Sequence, residues 1–337
     1  MSEVISARAL RELIGGWLKA GIRVAGPRRV ATDQVAYAWL DRPEDCLLGG
    51  YIHPHNSIKE FFFPRHESLY EYRIEGKKIA LKNPEPLADE RIVIGARPCD
   101  AAAMPILDHV FNWDFKDPFY NRRREQTTVV TLACREHDHE CFCTSVGLGP
   151  DAERGSDVML YELDGDMYEV RCVTDKGGNL MAGRTETSQL TGSVPPGPAK
   201  KFDLAYLRET IGSKFESPVW TEATLRCMAC GACAYTCPTC HCFDIVDEGN
   251  ARGGIRAKNW DACQFPMFTL HASGHNPRNT QPQRQRQRVM HKFSIYPDKF
   301  GDVLCTGCGN CTRHCSVHLG VQTVLEAAEK SWRNATV

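Results

Sequence analysis

An excess of charge of either sign is missing from this chain: its 337 residues carry 41 Lys and Arg against 42 Asp and Glu, a formal net charge of −1. That balance removes any global case for nucleic acid or an anionic membrane as the main partner. No run approaches the roughly 18 apolar residues of a membrane span. No G-x-G-x-x-G follows a strand and no G-x-x-x-x-G-K-[ST] occurs, and Gly147-Leu-Gly149-Pro lacks the third glycine of a dinucleotide fingerprint. Ser-His-Asp and metal-hydrolase patterns are absent, covalent haem is not expected, and no C-x-x-C pairs near the two ends offer nickel-iron ligands. With 42% apolar and 25% charged residues, the composition is that of a folded protein long enough for two domains.

What the chain has in quantity is cysteine, 17 of them. The number is odd and the chain too long for a disulfide-stapled secreted domain. Residues 1–14 read as an amphipathic helix without the basic start and apolar core of a signal peptide. Arg28-Arg29 lies too far inside to be a twin-arginine signal. The expected compartment is cytoplasmic, where thiols at this density mostly mean metal.

Along the first two hundred residues helix and strand signals alternate. Arg91–Ala96 and Thr127–Ala133 read as short buried strands, the first leading into a helix over Asp100–Phe111. Hairpins turn at Glu75-Gly76 and Asp164-Gly165. Gly192-Ser-Val-Pro-Pro-Gly-Pro-Ala-Lys-Lys201 has the composition of a stiff linker. The expected fold class is α+β. An N-terminal α/β domain with a mixed sheet (1–200) is followed by a mainly α-helical, two-cluster ferredoxin-like domain (201–337) that closes with a helix over Val321–Trp332. Between Asn276 and Tyr296, Arg278, Arg284, Arg286, Arg288 and Lys292 occur without an acidic residue. The run reads as a solvated loop or helix face, or as a docking strip for an acidic partner or a redox site. It lacks the interleaved aromatics of a single-strand nucleic-acid binder.

Cys227-x2-Cys230-x2-Cys233-x3-Cys237-Pro recurs as Cys305-x2-Cys308-x2-Cys311-x3-Cys315. Three cysteines two residues apart let one tight loop wrap three irons of a cubane, while the fourth ligates the neighbouring cluster. This assigns one [4Fe-4S] cluster to Cys227, Cys230, Cys233 and Cys315, and another to Cys305, Cys308, Cys311 and Cys237. Zinc sites use paired C-x-x-C and have no use for such runs. Gly231, Gly307 and Gly309 remove Cβ bulk beside the ligands, and Ser316 stands where proline follows the first run. Crossed pairing requires residues 238–304 to leave and return.

Cys99 and Cys134 end the two buried strands, and Cys141-Phe-Cys143 follows. Neighbouring strands would bring these four thiols together as a third cluster, a zinc site or buried structural cysteines. Cys46 and Cys172 read as core residues. Cys240, Cys242 and Cys263 pack over a cluster, bind something further, or surround an active site of the chain's own, with His241 and His314 tuning from behind.

The blocks Phe61-Phe-Phe-Pro-Arg-His-Glu-Ser-Leu, Gly95-Ala-Arg-Pro-Cys-Asp, Asp117-Pro-Phe-Tyr-Asn-Arg-Arg-Arg-Glu125, Cys141-Phe-Cys-Thr-Ser-Val-Gly and Cys237-Pro-Thr-Cys-His-Cys-Phe-Asp244 carry a resemblance. Trp260-Asp-Ala-Cys263, Ala272-Ser-Gly-His-Asn-Pro-Arg278, Arg286-Gln-Arg-Val-Met-His-Lys-Phe293 and Tyr296-Pro-Asp-Lys-Phe-Gly extend it over roughly residues 58–325. The chain resembles the iron–sulfur beta subunit of cytoplasmic, sulfhydrogenase-type nickel-iron hydrogenases and the related iron–sulfur relay chain of anaerobic sulfite reductase. The resemblance implies three [4Fe-4S] clusters on the twelve cysteines named. It also implies a relay between a flavin subunit binding NAD(P) and the small and large subunits of a catalytic module, with no catalytic site on this chain.

Overall fold

The computed structural model describes residues 1–84 and 89–335. Its strands are β1 Ser2–Ser6, β2 Arg23–Ala31, β3 Gln34–Trp39, β4 His66–Glu75, β5 Lys78–Lys82, β6 Arg91–Ala96, β7 Thr127–Leu132, β8 Val158–Leu163, β9 Met167–Cys172, β10 Glu186–Ser188, β11 Phe243–Asn250 and β12 Gly253–Trp260. Eight build one mixed sheet in the order β10-β1-β9-β8-β7-β6-β2-β3. Its centre, β2-β6-β7-β8, is parallel, and its flanks are antiparallel.

Every residue of β6 and β7 is buried, as strands covered on both faces must be. Alternation divides their side chains between two cores. Ile92, Ile94, Val130 and Leu132 meet Leu10, Ile14 and Trp17 of the helix Ala7–Lys19. Val93, Ala96 and Val129 meet Met104, Leu107 and Phe111 of the helix Ala103–Asn112. The two parallel strands therefore end together, with Cys99 and Cys134 just past their carboxyl ends, the usual place for a ligand in a parallel sheet.

The second half is not built of helices alone. Short helices at Leu204–Thr210, Val219–Thr224, Gln281–Met290 and Val321–Asn334 surround an apolar core of Leu207, Ile211, Trp220, Val289, Phe293, Leu325 and Trp332. Beside them β11 and β12 form a hairpin that joins β4 and β5 in a four-stranded sheet, β11-β12-β4-β5. This hairpin is the physical reason that the expected mainly helical half is mixed. Buried Lys258 of β12 bonds Glu67 of β4 at 2.8 Å and Asp117 at 3.0 Å, and Phe142 enters the second core. The Pro-rich stretch 192–201 lies against the sheet and the cysteine loops, with Val194 packed on Ala133 and Tyr161 and Pro195 and Pro198 beside Cys143.

Candidate metal centres

The cysteines gather around three cavities. The first is lined by Cys227, Cys230, Cys233 and Cys315, with Gln264, Gln285 and Met228. The second is lined by Cys237, Cys305, Cys308 and Cys311, with Arg288 and Lys292. In each, three cysteines come from one run and the fourth from the other. Cys99, Cys134, Cys141 and Cys143 line the third, together with His53, Arg97 and Cys308.

The cavities stand in a row. Cys308 borders both the second and the third, and each repeated run supplies cysteines to both the first and the second. All four cysteines of the middle cavity are buried. The outer two reach solvent, one at Cys230 and Met228, the other at Glu136 and His137.

Glycine makes the contact between the second and third cavities. Gly307 has φ +65°, and a Cβ there would stand 2.5 Å from the backbone N and Cα of Cys143; Gly309, at φ +77°, would strike the Glu140 carbonyl at 2.3 Å. The Phe142 N–H donates to the Gly307 carbonyl at 2.9 Å. Only residues without a side chain let the second run lie this close to the Cys141 loop.

Donors converge on the sulfurs. Gln281 and Gln285 Nε2 donate to Cys227 Sγ at 3.1 and 3.0 Å, and the Val321 N–H donates to Cys311 Sγ at 3.4 Å. Lys292 Nζ lies 3.4 Å from Cys237 Sγ. Arg313, held in a fork by Asp138, reaches Cys141 Sγ at 3.7 Å. Burial pushes the Cys233 and Cys305 thiols up to about 12, so metal must drive the protons off these two.

Several cations are buried in this region. Lys59, Arg288 and Lys292 are 2%, 3% and 2% exposed, and their hydrogen bonds go to carbonyls, a hydroxyl and sulfur rather than to carboxylates. A buried cation is costly unless an anion compensates it, and the anions on offer are thiolates. The run 276–296 is thus corrected. Of the residues expected to form a solvated face or docking strip, Arg278 precedes the helix Gln281–Met290, while the others lie on it and on the π-turn His291–Ile295, with Arg284, Arg288 and Lys292 turned inward. Their spacing of four was the available signal, since it puts them on one helix face.

The sequence reading singled out neither His53 nor Asp100 as a site residue. His53 Nε2 lies 3.4 Å from both Cys99 Sγ and Asp100 Oδ2, and Tyr37 donates to Asp100 at 3.0 Å. Burial lowers the His53 pKa to about 3 and raises Asp100 to about 7, which leaves the imidazole neutral. Among the described residues these three form the one group of His, Cys or acidic side chains with ligand atoms within 4.8 Å of one another. Among the described residues no set of three cysteines is drawn in to the sulfur spacing of about 3.8 Å that tetrahedral zinc at 2.3 Å imposes. The segment Cys237-Pro-Thr-Cys240-His241 does have the C-x-x-C-H spacing of a haem attachment, against the expectation of none. However, Cys237 is buried against the middle cavity and His241 Nδ1 is tied to the Thr239 carbonyl at 3.0 Å.

Comparison with known proteins agrees with this geometry. Residues 226–319 match the family model of a 4Fe-4S dicluster domain. The sulfhydrogenase 2 subunit beta of Pyrococcus furiosus is 31% identical over 252 residues, covering 70% of this chain and 73% of that protein. The chain belongs to the sulfhydrogenase beta-subunit family. As a hydrogenase beta-type subunit it is an iron–sulfur electron-transfer protein carrying [4Fe-4S] clusters. Among the described residues no helix is long and apolar enough to cross a membrane.

Proposed function

We propose that this chain is the relay subunit of a soluble, cytoplasmic, NAD(P)-linked nickel-iron hydrogenase. It would connect a flavin subunit that binds NAD(P) with the small and large subunits of the catalytic module. The observation that carries the reading is the row of three four-cysteine cavities, buried in the middle and open to solvent at both ends. Bound [4Fe-4S] clusters would supply one-electron carriers at the three positions.

The ligand sets in this reading are Cys227, Cys230, Cys233 and Cys315; Cys305, Cys308, Cys311 and Cys237; and Cys99, Cys134, Cys141 and Cys143. Buried Arg288 and Lys292 favour the more negative reduced state of whatever these thiolates hold, as do the amide donors of Gln281 and Gln285. Cys230 and the 68% exposed Met228 form the surface end of the first site, and Glu136 and His137 that of the third. Partner subunits seated at these two ends would exchange electrons through the buried middle. Affinity purification of the tagged chain from its native cell tests the assignment. Copurifying nickel and a flavoprotein are expected. A sirohaem protein without nickel would move the relay to sulfite reduction.

A further inference from the structure

Two of the seventeen cysteines are exposed, Cys172 and Cys230. Cys46 is buried in the core of the first sheet, whereas Cys172, expected there too, stands exposed at the end of β9. Cys230 is the one exposed member of the twelve cysteines that line the three cavities. Its place in the second run belongs to Cys308, which is 7% exposed. The two runs nevertheless follow the same backbone course. Ala229 and Gly231 have φ +57° and +76°, and their counterparts Gly307 and Gly309 have +65° and +77°. A short helix follows each run, Ala232–Tyr235 and Asn310–Arg313.

What differs is the cover. The loop that carries Cys141 and Cys143 lies on Gly307 and Gly309, its Phe142 N–H donates to the Gly307 carbonyl, and Thr306 is left 1% exposed. On the first run the Phe265 ring lies over Gly231, but Met228, the counterpart of Thr306, is 68% exposed. Among the described residues the Ala229 carbonyl receives no backbone donor. Ala229 also keeps a methyl where its twin has none. Any loop on it must stand farther out than the Cys141 loop stands on Gly307, which suits a separate chain. The uncovered face is apolar. Leu225, two residues before Cys227, and Met267, two beyond Phe265, are each 71% exposed. Ser316, standing where proline follows the first run, donates from its hydroxyl to Met228 Sδ at 3.4 Å. Large apolar side chains gathered at a surface mark a contact site, and methionine adapts to a partner's shape.

We propose that this face of the first run is the seat of a cluster-bearing loop from a partner subunit, which lies on Met228 and Ala229 as the Cys141 loop lies on Thr306 and Gly307. The proposal rests on the relay reading and adds the occupant to it. The partner's metal-ligating cysteines would stand off Cys230 as those of the third site stand off Cys308. A second copy of this chain does not supply that loop, because its own Cys141 loop is already packed on its own second run.

The test puts a photo-crosslinking amino acid in place of Leu225 or Met267, neither of which lines a cavity, in the full chain within its native complex. Each position should join to a segment of another subunit that contains cluster-ligating cysteines. Crosslinks only to a second copy of this chain, only to segments without such cysteines, or to nothing overturn the proposal. A second measurement uses the double variant Leu225→Glu, Met267→Glu. The yield of intact complex should fall by about tenfold or more, while the chain keeps its wild-type iron content and dithionite bleaching. Iron content separates the two ways of failing. A chain that holds about 12 irons and assembles normally as the double variant keeps the relay and loses this seat. A chain that holds about 8 loses the third site, on whose packing the comparison of the two runs depends.

Discussion

Replacing Lys292 by methionine should lower the midpoint potential of one cluster by about 50–100 mV. The ammonium is 2% exposed and lies 3.4 Å from Cys237 Sγ. Two charges at that distance interact by about 5 kcal/mol at an effective dielectric of about 20. If the added electron is shared equally by four thiolate-bound corners, the quarter on Cys237 is worth about 1.2 kcal/mol, or about 50 mV for a one-electron couple. The other three quarters lie farther away and together add up to a similar amount. Removing the cation destabilises the reduced, more negative state, so the shift is downward. The fold should survive the change, because the Thr239 hydroxyl still donates to the Leu304 carbonyl at 2.9 Å. Spectroelectrochemical titration of the anaerobic full chain would read the shift, with iron content as the control and Lys292→Arg expected to restore most of the potential. If every midpoint stays where it was in a Lys292→Met protein with full iron, the ammonium does not face a redox centre and the electrostatic reasoning fails.

Gly307→Ala places a methyl 2.5 Å from the Cys143 backbone at φ +65°. The left-handed backbone alone costs about 1–2 kcal/mol, so melting should fall by several degrees, with iron lost first from the third site; an unaltered melt would show that the loops do not touch. Asp138→Asn should break the fork on Arg313, both arms at 2.8 Å, and loosen the Cys141 loop. Faster chelation of about a quarter to a third of the iron is the readout, and wild-type kinetics would be the adverse result. Crossed ligation predicts that Cys237→Ser perturbs the same cluster signal as Cys305→Ser, and Cys315→Ser the same signal as Cys227→Ser. The reverse pairing in electron paramagnetic resonance spectra would refute it.

Features with local periods were legible in the sequence. The buried strands at 91–96 and 127–132, the turns at Gly76 and Gly165 and the closing helix all appear where the pattern put them, because continuous apolar runs and turn glycines act over a few residues. The two repeated runs pointed to the dicluster region that the family model covers. Long-range pairing was not legible. Phe243–Trp260 folds back at Ala251-Arg252, yet its partner β4 lies some 190 residues away, and no local signal names such a partner. The inward turn of Arg284, Arg288 and Lys292 was hidden for a different reason. Cations are ordinarily solvated; the cysteine sites reverse that preference at Arg288 and Lys292, and carbonyl acceptors of the preceding loop do so at Arg284. His53 reaches Cys99 from a loop without a motif, so its place depended on the tertiary fold.

The central claim, a relay with three four-cysteine sites in a row, is tested most directly by counting iron in the anaerobic full chain beside a Cys99→Ser, Cys134→Ser variant. The account predicts at least about 12 irons in the wild-type chain and about four fewer in the variant, with the remaining clusters still bleached by dithionite. A wild-type chain with about 8 irons, and a variant that loses none, would contradict it.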